Sequence, residues 1–284
     1  MPEIILAKTA GFCFGVTRAV NMVRGLLDDP EVIKPIYTYG PIIHNDQVVD
    51  ELCALGAVPV TEEEAEKLPA GSVLVIRSHG IGRDALCDLE SRGLRIVDAT
   101  CPFVKKIHRI VSEASDRGQT VIIAGDPDHP EVRGIKAWSG HDTFIVPDPE
   151  AAKRLPMLKS AEIVAQTTFN CEFFQKIVEN IRTKCYDTSV MNTICSATQE
   201  RQQEARSIAS RVDAMIVVGG RHSSNSQKLF HICRDVCEHT FFVEKASDLG
   251  DISLPDARSI GITAGASTPG NIIREVLINV RTNF

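Results

Sequence analysis

Residues 94–114, "LRIVDATCPFVKKIHRIVSEA", carry the pattern that decides the fold. Leu94, Ile96 and Val97 form a short apolar run of strand character, and a different period begins after Cys101. Pro102 suits the first position of a helix, where its missing N–H would have had no intrahelical partner. Val104, Ile107, Val111 and Ala114 then recur at the spacing of one buried helical face. The stretch reads as strand, turn and helix, with a single cysteine at the junction. Backbone N–H groups and the positive end of the helix dipole favour an anion there, so this thiol is expected to ionise more readily than a core cysteine.

The arrangement occurs twice more. "EIILA" precedes Cys13, after which Val16, Ala19, Val20, Val23, Leu26 and Leu27 repeat at helical spacing. Cys195 follows the β-branched run in "SVMNTIC" and precedes a helix whose apolar side is Ala205, Ile208, Ala209 and Val212. Each cysteine is followed 28 to 31 residues later by a polar residue after a strand: His44 in "IYTYGPIIHN", His129 in "VIIAGDPDHPE" and Ser223 in "MIVVGGRHSSNS". A further 35 to 44 residues on, a second strand ends at His79 in "VLVIRSHG", Thr167 in "EIVAQTT" and Ser267 in "IGITAGAST". Helices are expected after all six.

Cysteine spacings of 88 and 94 make this a threefold repeat without obvious sequence identity. The implied fold class is α/β: three small α/β units with mainly parallel sheets, related by a pseudo-threefold around a central cleft. The units are expected at 14–100, 101–194 and 195–284. The last, whose chain ends after a helix at Gly270–Val280, would be completed by the N-terminal segment 1–13 through a strand at Ile4–Ala7. Ligands of such sheets gather beyond the carboxyl ends of the strands, where all nine marked residues lie.

Composition agrees with a globular protein and removes several functions. The chain has 284 residues, 43% hydrophobic and 24% charged, a length that suggests about two domains on size alone. A net charge of -6, with no basic run able to track phosphates, argues against nucleic acid as a partner. "MPEIILAKTAG" has Glu3 and an apolar run of only four residues, so neither a signal peptide nor a membrane span is expected, and the location is expected to be cytoplasmic.

Nine cysteines without a C-x-x-C pair disfavour a disulfide framework, a zinc ribbon or a thioredoxin-type site. Cys233 and Cys237 share an apolar helical face with Leu229, Phe230 and Val236; Cys53 shares one with Val48, Val49 and Leu52; Cys87, Cys171 and Cys185 lack notable neighbours. These six read as structural. His108, His141, His222, His231 and His239 read as ordinary surface or boundary residues. Cys13, Cys101 and Cys195 would together hold a metal centre with one position left open. Zinc as a Lewis acid and an iron–sulfur cluster with one exchangeable iron both satisfy that pattern, and spacing does not separate them.

Eight motifs, "GFCFGV", "HNDQVV", "SHG", "DATCP", "HPEV", "QTT", "SSNS" and "TAGAS", resemble in order across nearly the whole chain the 4-hydroxy-3-methylbut-2-enyl diphosphate reductase family of the non-mevalonate isoprenoid pathway. The resemblance implies a three-lobed α/β protein with a central 4Fe-4S cluster held by Cys13, Cys101 and Cys195, its fourth iron binding the substrate hydroxyl. It further implies reductive dehydroxylation to isopentenyl or dimethylallyl diphosphate. The substrate diphosphate would be bound by His44, His79, His129, Thr167, Ser223, Ser224, Asn225 and Ser267, aided by helix N-termini. Glu131 would supply the proton, with His129 and Thr167 in the same relay. Ser78 stands where the family frequently has alanine, a departure that leaves these roles in place. No nicotinamide or flavin motif is present, so ferredoxin or flavodoxin is the expected electron donor.

The residues taken singly have plainer readings. Ser and Asn favour helix starts as caps, and Glu131 suits the acidic first turn of a helix. Two other classes share part of the pattern: a non-redox three-cysteine cluster enzyme similar to quinolinate synthase, which would turn over without reductant, and a metal-free phosphate-binding module.

Overall fold

The computed structural model describes residues 2–252 and 257–283. Among them are twelve strands: β1 (Glu3–Leu6), β2 (Ile36–Tyr39), β3 (Ala57–Val60), β4 (Val73–Ile76), β5 (Arg95–Asp98), β6 (Thr120–Ala124), β7 (Thr143–Val146), β8 (Leu158–Ala165), β9 (Cys185–Val190), β10 (Ala214–Val218), β11 (Thr240–Val243) and β12 (Ser259–Ala264). They form three four-stranded sheets, in the orders β3-β2-β4-β5, β7-β6-β8-β9 and β1-β12-β10-β11. Every recorded pairing is parallel. Read from the other edge, the last order matches the first two: second strand, first, third, then the strand that leads into a cysteine. The repeat seen in sequence is therefore a repeat of sheet topology.

Parallel strands need crossover connections, and helices supply them. Such sheets are covered on both faces, which explains why "VIIA" and "MIVV" are apolar throughout rather than alternating. Ile122 and Ala124 of β6 pack with Ile163, Phe174 and Ile177, while Val121 and Ile123 pack with Ile107, Val111, Val132 and Ile135. In β10, Ile216 and Val218 join Ile272 and Val276, and Met215 and Val217 join Ala205, Ile208 and Cys233.

The chain divides into two compact units. One comprises Met1–Val16, His44–Val48 and Ser196–Phe284 and holds the sheet of β1 and β10–β12; the other comprises Thr17–Ile43 and Val49–Cys195 and holds the two remaining sheets. The strand expected at Ile4–Ala7 is present as β1, one residue earlier, in register from Glu3 opposite Ser259 to Leu6 opposite Ile262. Ala7 still donates its N–H to Ile262 O at 2.8 Å. The C-terminal helix runs from Gly270 to Asn283, three residues past the expected end.

The readings of four residues need correction. Cys53 and Cys87 are exposed: the helix Asp46–Ala54 turns Val48 and Leu52 inward and leaves Cys53 in solvent, and the helix Arg83–Ser91 buries Leu89 and leaves Cys87 outside. Cys171 has a neighbour: its thiol is pushed up first by burial and then by the proximity of Cys195. His108 is buried, not a boundary residue. Cys233 and Cys237 are core cysteines as expected, and burial pushes the Cys233 thiol up to about 12.

Candidate functional site

All three marked cysteines stand where a strand hands over to a helix. Cys13 precedes the helix Phe14–Asp28, Cys101 is the N-cap of Pro102–Asp116 with Pro102 in its first turn, and Cys195 precedes Ser196–Ala209. Each is half-exposed, and none of the described cysteines is disulfide-bonded. Their backbone amides are fixed in one repeated way. Cys13 N–H donates to Ala266 O at 3.1 Å, Cys101 N–H to Ser78 O at 3.0 Å and Cys195 N–H to Thr167 O at 3.1 Å. The acceptors lie just beyond β12, β4 and β8, at or beside Ser267, His79 and Thr167. One local hydrogen bond thus ties each cysteine to a polar group of the neighbouring strand end, three times over.

In the unit of Thr17–Ile43 and Val49–Cys195, the polar residues gather around Glu131. The Glu131 carboxylate, only 2% exposed, accepts from Thr167 N–H at 2.6 Å and from the Thr167 hydroxyl at 2.8 Å. His129 caps the helix Pro130–Lys136, its Nδ1 accepting the Glu131 N–H at 3.2 Å. This bond makes Nδ1 the acceptor and leaves Nε2 as the nitrogen able to carry a proton in the neutral ring. His79 meets His129 edge to face, with ring centroids 5.3 Å apart. Four expected residues, His79, His129, Glu131 and Thr167, are therefore together, with Cys101 and Cys195 hydrogen-bonded to the turns that carry His79 and Thr167.

The other unit assembles a second donor set. Ser223 caps the helix Ser224–Arg234, and its hydroxyl oxygen accepts from Ser226 N–H at 3.3 Å, Ser226 hydroxyl at 3.0 Å and Ser267 hydroxyl at 3.3 Å. With two lone pairs for these three donors, the Ser223 oxygen is fully used as an acceptor and its own hydrogen points elsewhere. Ser267 also lies 3.0 Å from His44 O, within reach of a bond that its one hydrogen shares with Ser223. Asn225 is 4% exposed, and its Nδ2 has no hydrogen-bond partner among the described residues. A buried amide without an acceptor is costly, and an anion at this helix start would satisfy it. Gly219 and Gly265 are demanded by the packing: a Cβ at either would lie within 2.2 Å of the Ser226 hydroxyl.

Sequence reasoning missed three residues here. Lys228 donates to the Ser224 hydroxyl at 2.7 Å, bringing a cation beside the donor set; its i+4 spacing from Ser224 was the available signal. Arg201 and Glu204 grip the loop before Cys13. The buried Arg201 guanidinium donates to Thr9 O at 3.0 and 2.6 Å and to Gly11 O at 2.7 Å. Glu204 accepts from Lys8 N–H, Thr9 N–H and the Thr9 hydroxyl at 2.9, 2.9 and 2.6 Å. Partial burial would raise the Glu204 carboxyl, but these bonds outweigh it and hold it below its ordinary value. Nothing in "QERQQEARS" distinguishes these two charges from a solvated helix face.

Residues 4–281 match the model of the LytB protein family. A curated relative from Thermoanaerobacter sp. (strain X514), named 4-hydroxy-3-methylbut-2-enyl diphosphate reductase, is 43% identical over 279 residues, covering 98% of this chain and 96% of the relative. One of the same name from Clostridioides difficile (strain 630) is 42% identical over 277 residues, covering 97% and 98%. The chain is similar to a solved (E)-4-hydroxy-3-methyl-but-2-enyl diphosphate reductase, described as the terminal enzyme of the non-mevalonate pathway, at 38% identity and TM-score 0.69, covering 99% of this chain and all of the other. It is similar also to the Plasmodium falciparum E-1-hydroxy-2-methyl-but-2-enyl-4-diphosphate reductase, at 31% identity and TM-score 0.92, covering 99% and 88%.

Proposed function

Because the chain belongs to the LytB protein family, whose relatives are reductases, we propose that it converts 4-hydroxy-3-methylbut-2-enyl diphosphate to isopentenyl and dimethylallyl diphosphate, the last step of the non-mevalonate isoprenoid pathway. The main support is the threefold repetition of the cysteine amide bond, which gives Cys13, Cys101 and Cys195 the same local setting and sets them apart from the core cysteines Cys185, Cys233 and Cys237 and the exposed Cys53 and Cys87. Cys171 is also half-exposed and opens the helix Cys171–Arg182, so it is the repeated amide bond at the end of a neighbouring strand that selects Cys13, Cys101 and Cys195. That set fits a 4Fe-4S cluster with one iron left for substrate. When bound there, such a cluster supplies electrons one at a time and a Lewis-acidic iron to weaken the C–O bond.

The chain's own residues do the rest. Ser223, Ser224 and Asn225 donate to the diphosphate from the start of the helix Ser224–Arg234, Ser267 from the turn after β12, with Lys228 adding charge; His44, His79, His129 and Thr167 complete the substrate-binding set. The reaction consumes two electrons and two protons: one proton leaves with the hydroxyl as water, and the other goes to either end of the allylic system. Glu131, buried and fixed by Thr167, is the acid for the first of these, with His129 in position to relay. Since the chain carries no nicotinamide or flavin motif, ferredoxin or flavodoxin delivers the electrons. No described helix is long and apolar enough to cross a membrane, and the reading places the enzyme in the cytoplasm.

Anaerobic purification with iron and sulfide analysis, followed by turnover of the diphosphate with and without a chemical reductant, tests the reading. Iron with sulfide and reductant-dependent formation of both products is expected. Activity in metal-free protein, or turnover without reductant, overturns it.

A further inference from the structure

The loop that carries His79 is held by residues outside the substrate and cluster sets. Gly80 sits at φ +71°, and a Cβ there would fall 2.7 Å from Cε1 of His108 and 3.0 Å from Cγ2 of Thr100. A Cβ on Gly82 would meet Cβ of Ala137 at 2.7 Å, and a Cβ on Gly134 would sit 3.7 Å from the carbonyl group of Gly80. The loop therefore runs against the helix headed by Cys101 and also against the end of the helix headed by His129 and Glu131. Trp138, just past that second helix, stacks on His108 with ring centroids 4.9 Å apart and planes 14° apart, and its indole N–H donates to Ile81 O at 3.0 Å. A cavity of about 350 Å³, lined by Ile76, Ile81, Leu86, His108 and Trp138 among others, lies beside this stack.

We propose that His108 and Trp138 form a clamp that positions His79, with Trp138 fixing the Ile81 carbonyl two residues beyond it and the His108 ring filling the space against Gly80. The clamp keys the His79 turn to the two helices that present Cys101 and Glu131. It rests on the reading of His79 as a substrate ligand. Burial holds His108 neutral, with its pKa lowered to about 4, so the ring serves as a flat spacer rather than a charge.

Trp138→Phe keeps a flat ring on His108, though a smaller one, and removes the indole donor. The test compares anaerobically purified, cluster-loaded protein with and without this change, in the native and His79→Ala backgrounds. Amide hydrogen exchange across residues 78–82 and steady-state kinetics with chemical reductant are both measured. Faster exchange in that loop is expected at unchanged iron content, with KM for the diphosphate raised about fivefold, as for one lost hydrogen bond, and kcat little altered. In the His79→Ala background the same change should leave KM where His79→Ala already put it. Unchanged loop exchange overturns the clamp. A KM increase of the same size in both backgrounds overturns positioning through His79 and leaves a general structural role. If His79→Ala alone leaves KM unaltered, the substrate reading of His79 fails, and the exchange result by itself decides whether the clamp holds the loop.

Discussion

On the proposed reading, Glu131 combines a structural and a chemical role in one side chain. Its two short bonds to Thr167 would be expected of a helix-start carboxylate recruited to pin a neighbouring turn, yet its burial beside His129 and His79 also suits an acid. Glu131→Gln separates the roles. The amide oxygen can accept from Thr167 N–H while the new NH₂ donates to the Thr167 hydroxyl, so fold and iron content should persist, whereas turnover should fall by about 10²–10⁴ because no proton can be supplied. Steady-state rates under excess reductant check this, and near-normal turnover would move the proton source to His129 or a water molecule. The cysteines divide in the same manner. Cys101→Ser should strip iron and activity together. Cys233→Ser, which places a hydroxyl in a core that raises its thiol to about 12, should cost about 1–3 kcal/mol in denaturant unfolding and leave the iron in place.

At the scale of elements, the loop Lys8–Gly11 shows how a cysteine turn is built from a distant helix. Six hydrogen bonds from Arg201 and Glu204 fix it. Such density meets a need of the loop, which is short and has few backbone partners of its own. Arg201→Met should leave Thr9 O and Gly11 O unsatisfied at about 1–3 kcal/mol each. A lower melting temperature, faster amide exchange over residues 8–13 and weaker iron retention are expected, with Arg201→Lys recovering part of each. Normal exchange in Arg201→Met would show that the helix is dispensable for the loop.

For the whole molecule, acid stability carries a signature of His108. Its pKa is lowered from 6.5 to about 4, chiefly by desolvation, with Asp98 opposing and Lys105 assisting. The folded state therefore prefers the neutral ring, and between those two values the unfolded chain binds a proton that the folded chain refuses. The contribution of His108 to stability is complete above pH 6.5 and is lost as the pH drops towards 4, roughly 3 kcal/mol in all at about 1.4 kcal/mol per unit. Urea midpoints against pH for the native protein and for His108→Phe, which keeps the ring and loses the titration, should diverge through that window. Parallel curves would place the acid sensitivity on other groups.

The amino-acid sequence determined the class and order of the elements by itself, since apolar runs, helical spacing and the Pro102 start are local properties of the chain. The return of β1 to close the last sheet was also legible, because two earlier copies of the unit showed a fourth strand that the third lacked. Only the tertiary structure decided which charged residues are buried. Arg201 and Glu204 look like a solvated helix face, and His108 looks like a boundary histidine, until the Lys8–Gly11 loop arrives to bond the first two and the Gly80 loop and Trp138 to enclose the third. The neighbouring pair Cys171 and Cys195 was hidden for the same reason: spacing along one helix predicts who shares a face, whereas Cys171, at the start of the helix Cys171–Arg182, and Cys195, past β9, come together only through the fold.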